Sequence, residues 1–236
     1  EGNRTNGNGT SYGAAIYTWY GSIRIADNDI TGNIGTEALY LGNYTGAHCE
    51  ANRIIDNDTS VGIRLVNGYG AAAALTNNIV ARNGSAALSA RSFAGGPLTV
   101  TLAHNTLVGD GTGSGVYVES GYATLYLTNT IIASHVWGVS NTMPASSTVL
   151  LDHTLFWANG QNGDEGLNAL VGDPRFVDPG AGDFHIGPHS AAVDAAAPAG
   201  AIIDVDGDAR PMVAGWDIGA DEAWWRSFIP LTLHDL

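Results

Sequence analysis

Asn52-Arg53-Ile54-Ile55-Asp56-Asn57 is the stretch whose reading decides the fold. Two asparagines five residues apart bracket a short apolar pair. The frame returns upstream as Asn28-Asp29-Ile30-Thr31-Gly32-Asn33 and downstream as Asn78-Ile79-Val80-Ala81-Arg82-Asn83. Working outward, a first polar ladder runs Asn3, Asn28, Asn52, Asn78, Asn105 and Asn129, with His153 in its last place. Neighbouring positions differ by 25, 24, 26, 27, 24 and 24 residues. A second ladder runs Asn8, Asn33, Asn57, Asn83, Asp110 and Ser134. Between the two, Thr5, Ile30, Ile54, Val80, Leu107, Ile131 and Leu155 form a column read as inward-facing. Self-similarity at this period identifies a solenoid.

The segments inside each repeat are short, β-branched and separated by Gly, Asn and Asp, which reads as strands. Ile23 and Ile25 alternate before Asn28, as Val100 and Leu102 do before Asn105. A further strand sets Ile16, Leu39, Ile63, Leu88, Val116 and Val139 in one column, with Leu41, Leu65 and Val118 on the same face. Three short strands per turn predict an all-β chain: a single-stranded parallel β-helix of about six coils with an irregular C-terminal cap. Asparagine suits the corners because it tolerates the left-handed backbone region. Stacked about 4.8 Å apart, its amides can also bond to one another. The expected organisation is coils over 1–160, a cap over 161–223 and an apolar tail over 224–236.

Charge narrows the partners. The chain carries 23 acidic and 9 basic residues, a net charge of −14, and every basic residue is Arg. Nucleic acid and anionic membranes both require a basic face, so neither is an expected partner. A strongly anionic polysaccharide is disfavoured unless arginines cluster. No segment reaches transmembrane length. The single cysteine, Cys49, falls in an inward column and reads as a small buried hydrophobe. Glu1 begins inside a coil, which suggests a processed product or a piece of a longer precursor. Of the Asn-x-Ser/Thr triplets, Asn43-Tyr44-Thr45 lies outside both ladders and is the candidate glycan acceptor.

After His153 the period weakens and a different series follows. It comprises Gly172-Asp173-Pro174-Arg175-Phe176, Gly182-Asp183-Phe184, Ser190-Ala191-Ala192-Val193-Asp194, Asp204-Val205-Asp206-Gly207-Asp208-Ala209-Arg210-Pro211 and Asp217-Ile218-Gly219-Ala220-Asp221-Glu222. Over about residues 172–222 this resembles the end of secreted bacterial β-helix proteins of the choice-of-anchor Q type, with Ala191 standing where Pro is usual. The resemblance implies a right-handed solenoid and a secreted, extracellular or cell-surface location. It implies little about chemistry. Physically the series reads as a cap, with Phe176, Phe184, Ile186, Val193, Ile202 and Ile218 plugging the solenoid end. The tail residues Phe228, Ile229, Leu231 and Leu233 are candidates for anchoring, docking or strand donation.

Three sets of side chains are candidates for chemistry. Tyr17, Tyr40 and Arg64 fall in one outward column that Tyr117 rejoins, with Trp19 nearby, and such aromatics can stack on sugar rings or a protein partner. Asp204, Asp206 and Asp208 alternate around a glycine, a pattern that suits calcium, although no bidentate Glu follows at the EF-hand distance. Asp29 with Arg53 and Asp56 with Arg82 occupy equivalent positions in successive coils and read as inter-coil ion pairs. Neither the clustered acids of a hydrolase nor a lysine-bearing lyase set is present. The expected role is therefore a structural or adhesive extracellular solenoid without catalytic residues. It would assemble head to tail with copies of itself and need no cofactor beyond calcium. The alternative is a β-helix that binds or degrades an extracellular glycan.

Overall fold

A computed structural model describes residues 4–6, 15–93, 96–198, 200–212 and 214–223. The chain is a parallel β-helix with three sheets. Sheet A stacks the three-residue strands Arg4–Asn6, Asp29–Thr31, Arg53–Ile55, Ile79–Ala81, Thr106–Val108, Ile131–Ala133 and Leu155–Trp157, with Leu170–Val171 at its end. Sheet B stacks Ile16–Trp19, Ile34–Gly42, Asp58–Asn67, Ala86–Ser92, Ser114–Ser120 and Trp137–Asn141. Sheet C stacks Ser22–Ala26, Gly46–Glu50, Ala71–Thr76, Leu98–Ala103, Ala123–Thr128 and Thr148–Asp152. The inward columns read from the sequence line one continuous core of Ile, Leu, Val and Ala, with Cys49 buried inside it.

Both asparagine ladders are real and buried. Asn28 Nδ2 donates to Asn52 Oδ1 at 2.8 Å, Asn52 to Asn78 at 2.9 Å and Asn78 to Asn105 at 2.9 Å. In the second ladder Asn33 bonds to Asn57 at 2.8 Å and Asn57 to Asn83 at 2.7 Å. Each amide also satisfies a corner carbonyl, as Asn52 does for Ile25 at 2.9 Å. A third corner, absent from the sequence reading, joins sheets B and C. There Asn43 Oδ1 accepts from Gly68 N at 3.2 Å and Asn67 Nδ2 donates to the Tyr44 carbonyl at 2.9 Å.

The late coils correct the register by one residue. Thr106 pairs with Ile131, which in turn pairs with Leu155, so Thr130 and Thr154 follow Asn105 in the first ladder, not Asn129 and His153. Ile132 and Phe156 therefore enter the core, while Ile131 and Leu155 face outward. In the second ladder His135, not Ser134, stands before Asn159, whose Oδ1 accepts from His135 N at 2.9 Å. Asn129 instead takes the left-handed corner position at φ 53°, the column that Asn77 and His104 also occupy. Asparagine is favoured both in that column and in the ladder, so Asn129-Thr130 reads either way.

The C-terminal segment lies elsewhere than expected. What crosses the end of the solenoid is the glycine-rich stretch 160–167. Gly138 N donates to Gln161 O at 2.7 Å and Leu167 N to Leu151 O at 2.9 Å. A Cβ on Gly163 would meet the Val139 carbonyl at 2.4 Å, so only glycine allows that approach. Residues 173–223 run back along the flank, over the outer face of sheet A. Phe184 and Ala220 pack on Ile55, Ile79, Ala81 and Val108, and Ile186, Ala192, Ile218 and Ala223 pack on Ile131, Ala133 and Leu155. Sheet A strands are apolar on both faces here because both faces are buried. Of the residues expected to plug the end, Phe176, Phe184, Ile186, Val193 and Ile218 join these flank clusters, and Ile202 stays 74% exposed.

The flank segment has little regular structure of its own. Phe176–Asp178 and Asp183–Ile186 form an antiparallel hairpin around a single 3-10 turn, Pro179–Ala181. Side chains must therefore satisfy its backbone, and the motif acids do so. Asp194 Oδ1 accepts from Gly215 N at 2.5 Å. Asp217 accepts from Asp194 N at 2.7 Å and Ala223 N at 2.8 Å, and Asp221 accepts from Ile186 N at 2.7 Å. Arg210 and Glu222 form a fully buried pair at 2.8 Å. Arg210 also donates to the Gly219 carbonyl at 2.9 Å. The segment is fastened to the coils through Asn77 to Ile203 O at 2.7 Å, Arg53 to Gly182 O at 3.1 Å and Ala220 N to Thr106 Oγ1 at 3.0 Å.

Replacing Asn52 by Ala removes the acceptor of the Asn28 N–H and the donor to the Ile25 carbonyl. Chemical denaturation should show a loss of about 2–4 kcal/mol, whereas a change at an exposed strand position should fall within about 0.5 kcal/mol.

Candidate functional site

The outer face of sheet B carries the expected aromatic column. Strand register places Tyr17, Tyr40, Arg64, Ser89, Tyr117 and Ser140 in one straight line. Tyr17 and Tyr40 stack with ring centres 4.7 Å apart and planes 9° apart. Trp19 is nearly parallel to both, at 5° and 13°, with centres 6.2 and 6.0 Å away. Tyr17 is 52% exposed and Trp19 42%. The column beside it explains where Trp19 goes. Trp19 pairs with Gly42, Gly42 with Val66 and Val66 with Arg91. A Cβ on Gly42 would lie 2.2 Å from Trp19 Cε3, so the missing side chain is the space the indole edge fills.

Arg64 closes the far side of the tyrosine stack. Its Nε lies 2.8 Å from Glu37 Oε1, and its Nη1 pairs with Glu119 Oε1 two coils further on. The intervening Ser89 is small and buried, and its hydroxyl donates to the same Glu119 oxygen at 3.2 Å. Glu119 reaches this position because a β-bulge between Ala90 and Arg91 shifts the register, pairing Arg91 with Ser120. Tyr17, Trp19, Glu37, Tyr40, Arg64, Val66 and Arg91 together line a cavity of about 310 Å³. Burial, and next the neighbouring Tyr17, raise the Tyr40 phenol above its ordinary range, so it stays a hydrogen-bond donor at neutral pH. Tyr117 belongs to the column but not to the cavity lining.

The sequence reading named Tyr17, Trp19, Tyr40 and Arg64 and missed Glu37, Gly42, Arg91 and Glu119. Gly42 was visible as a glycine inside a strand pattern. Glu119 and Arg91 were hidden by the bulge, which no periodicity reveals.

The loop of Asp204, Asp206 and Asp208 divides its acids between different tasks. Asp204 is buried. Its Oδ1 accepts from Asp206 N and Asp208 N, both at 2.9 Å, and its Oδ2 accepts from Glu222 N at 3.0 Å. Asp206 turns to His185, Oδ2 to Nε2 at 2.6 Å, and Asp183 holds the other ring nitrogen at 2.5 Å. Among the described residues, His185, Asp206 and Asp221 are the set whose potential ligand atoms lie within 4.8 Å of one another; Asp204 and Asp208 are not part of it. The hydrogen bond to Asp206 lifts the His185 imidazole to about 9 against the opposing effect of burial. Burial likewise raises Asp217 and Asp221 to about 6.

Two other expectations meet their surroundings here. Asn43, the candidate glycan acceptor, is 6% exposed and serves as the corner residue described above, whereas an acceptor amide must stand open to solvent. Arg82 and Asp56 form the expected inter-coil pair at 2.5 Å, and Asp29 pairs in register with Arg53. The tail residues Phe228, Ile229, Leu231 and Leu233 lie outside the described residues. Among the described residues no helix is long and apolar enough to cross a membrane.

No protein-family model, curated protein or solved structure matches this chain. The parallel β-helix foreseen by the choice-of-anchor Q resemblance stands on its own geometry.

Two outcomes check this account of the flank. Asp204→Ala should destabilise the protein by on the order of 3 kcal/mol, with the same loss in chelator as in calcium. A ligand role would make the loss depend on the ion. His185 titrates near 6.5 unfolded and about 9 folded, so its contribution is complete below pH 6.5 and lost as pH rises through 9. The protection of the Ile186 amide relative to its intrinsic, base-catalysed exchange rate should fall over that window, and His185→Gln should flatten the dependence.

Proposed function

We propose that this chain is an extracellular glycan-binding β-solenoid whose binding site is the cavity on sheet B. The observation that carries the reading is the set of three near-parallel rings, Tyr17, Trp19 and Tyr40, set beside a clamped arginine. Partly exposed aromatic faces bury sugar C–H surface, and the adjacent Tyr40 hydroxyl, Glu37 and Arg64 offer polar groups that orient hydroxyls. Binding is favoured over bond cleavage because Glu37 and Glu119 are both committed to Arg64. A glycosidase needs two carboxyl groups free to face the scissile bond, and these two face the guanidinium instead.

An extracellular or cell-surface setting is supported by the motif resemblance of residues 172–222 and by the acidic, lysine-free surface. The reading as a head-to-tail structural filament has less support. The stretch 160–167 crosses the last full coil and takes up part of its exposed backbone hydrogen bonding. Such coverage is how solenoids block end-to-end pairing.

Screening on a glycan array should show binding by the intact chain. Trp19→Ala and Tyr40→Ala should each weaken it about tenfold, equivalent to about 1.4 kcal/mol. Gly42→Ala, which leaves every aromatic in place but evicts the indole edge, should weaken it as well. Tyr126→Ala, an exposed aromatic on sheet C, should leave binding unchanged. A folded protein that binds no glycan would refute the reading.

A further inference from the structure

We infer that the sheet B cavity selects glycans bearing an anionic group, a carboxylate or a sulfate, and that Arg91 receives it. This rests on the glycan-binding reading. Three observations carry it. First, Arg91 lines the cavity and is exposed, and no carboxylate pairs with it among the described residues. Four other arginines are committed to carboxylates: Arg24 to Glu50, Arg64 to Glu37 and Glu119, Arg82 to Asp56 and Arg210 to Glu222. Arg53 donates to the Gly182 carbonyl, and the exposed Arg175 lies on the flank, away from the aromatic rings.

Second, the register gives the slot its shape. Trp19 sits over Gly42, Val66 follows and Arg91 comes next. Three register steps, roughly 14 Å of stacked backbone, run from Trp19 to Arg91 by way of Gly42 and the uncharged Val66, and both ends line the same cavity. A sugar ring against Trp19 and Tyr40 would therefore direct a substituent at Arg91. Third, the bulge at Ala90/Arg91 breaks the ladder at this point and sends Glu119 to Arg64. The acid nearest in sequence register is thus withdrawn from Arg91. A guanidinium fork that pairs with no carboxylate among the described residues matches the geometry of a carboxylate or sulfate. The net charge of −14 works against anionic ligands at long range. Selection here is thus local and sensitive to salt.

The test is an array on which each uronate-bearing oligosaccharide is printed beside its methyl ester and each sulfated one beside its desulfated form. The intact chain should prefer the acidic member of a pair by about tenfold, and the preference should fall as salt is raised. Whether ester or desulfated partners lose binding separates the carboxylate from the sulfate. Arg91→Gln should abolish the preference within each acidic/neutral pair, and Arg91→Lys should restore part of it. Trp19→Ala should weaken both members. Equal binding of acidic and neutral members by the intact chain, or an unchanged preference in Arg91→Gln, overturns the inference while the glycan reading survives. No binding to either member overturns both.

Discussion

A buried side-chain amide that must be satisfied rung after rung, from Asn28 to Asn105, is the constraint on which this molecule rests. Asn52 accepts from Asn28 on one side and donates to Asn78 on the other, and both bonds exist only at one register. A one-residue slip would leave several buried polar groups unsatisfied, at a cost of about 1–3 kcal/mol each. The ladders therefore lock the coils to one another more tightly than the apolar core does, since Ile, Leu and Val accept many packings. Everything on the outer faces inherits that alignment. Tyr17 meets Tyr40, and Trp19 meets the gap over Gly42, because Asn28, Asn52 and their neighbours hold the strands in step.

The C-terminal segment solves a different problem with the same chemistry. Its backbone has no sheet to join, so its N–H groups are met by carboxylates from Asp194, Asp204, Asp217, Asp221 and Glu222. The buried Arg210–Glu222 pair sits where these loops converge. Removing one member of such a pair costs more than the pair contributes, because it strands a buried charge. The acidic motifs thus act as internal fasteners, and the apolar outer stripe of sheet A is their landing surface. With the flank covered by this segment, the outer faces of sheets B and C stay open, and sheet B carries the aromatic cavity.

On that face, charge is placed sparingly. Arg64 is neutralised on both sides, which makes it a rigid wall, whereas Arg91 is paired with no carboxylate among the described residues. The rings of Tyr17, Trp19 and Tyr40 are held by stacking and by strand register, so little side-chain freedom remains to be lost on binding.

Much of this was legible in the residues alone. Asparagine spacing near 25 gave the repeat, short β-branched runs the three strands, and period-two alternation the inward columns of sheets B and C. It also aligned Tyr40 and Arg64, which stand at equal distance from the ladder, and Tyr17 through the alternation of its own strand. The late register was not legible, because Asn129 suits the left-handed corner as well as the ladder, and only pairing decides between them. Nor was the position of the C-terminal segment. The apolar runs Ile79-Val80-Ala81 and Ile131-Ile132-Ala133, beside the polar flanks of Asp29-Ile30-Thr31, signalled a second buried face without naming what covers it. The sequence determined the coil, because local spacing and ladder bonding repeat in every turn. Tertiary structure alone decided the flank docking and the Arg91 slot, because both join residues from distant turns, through apolar contact in one case and a single bulge in the other.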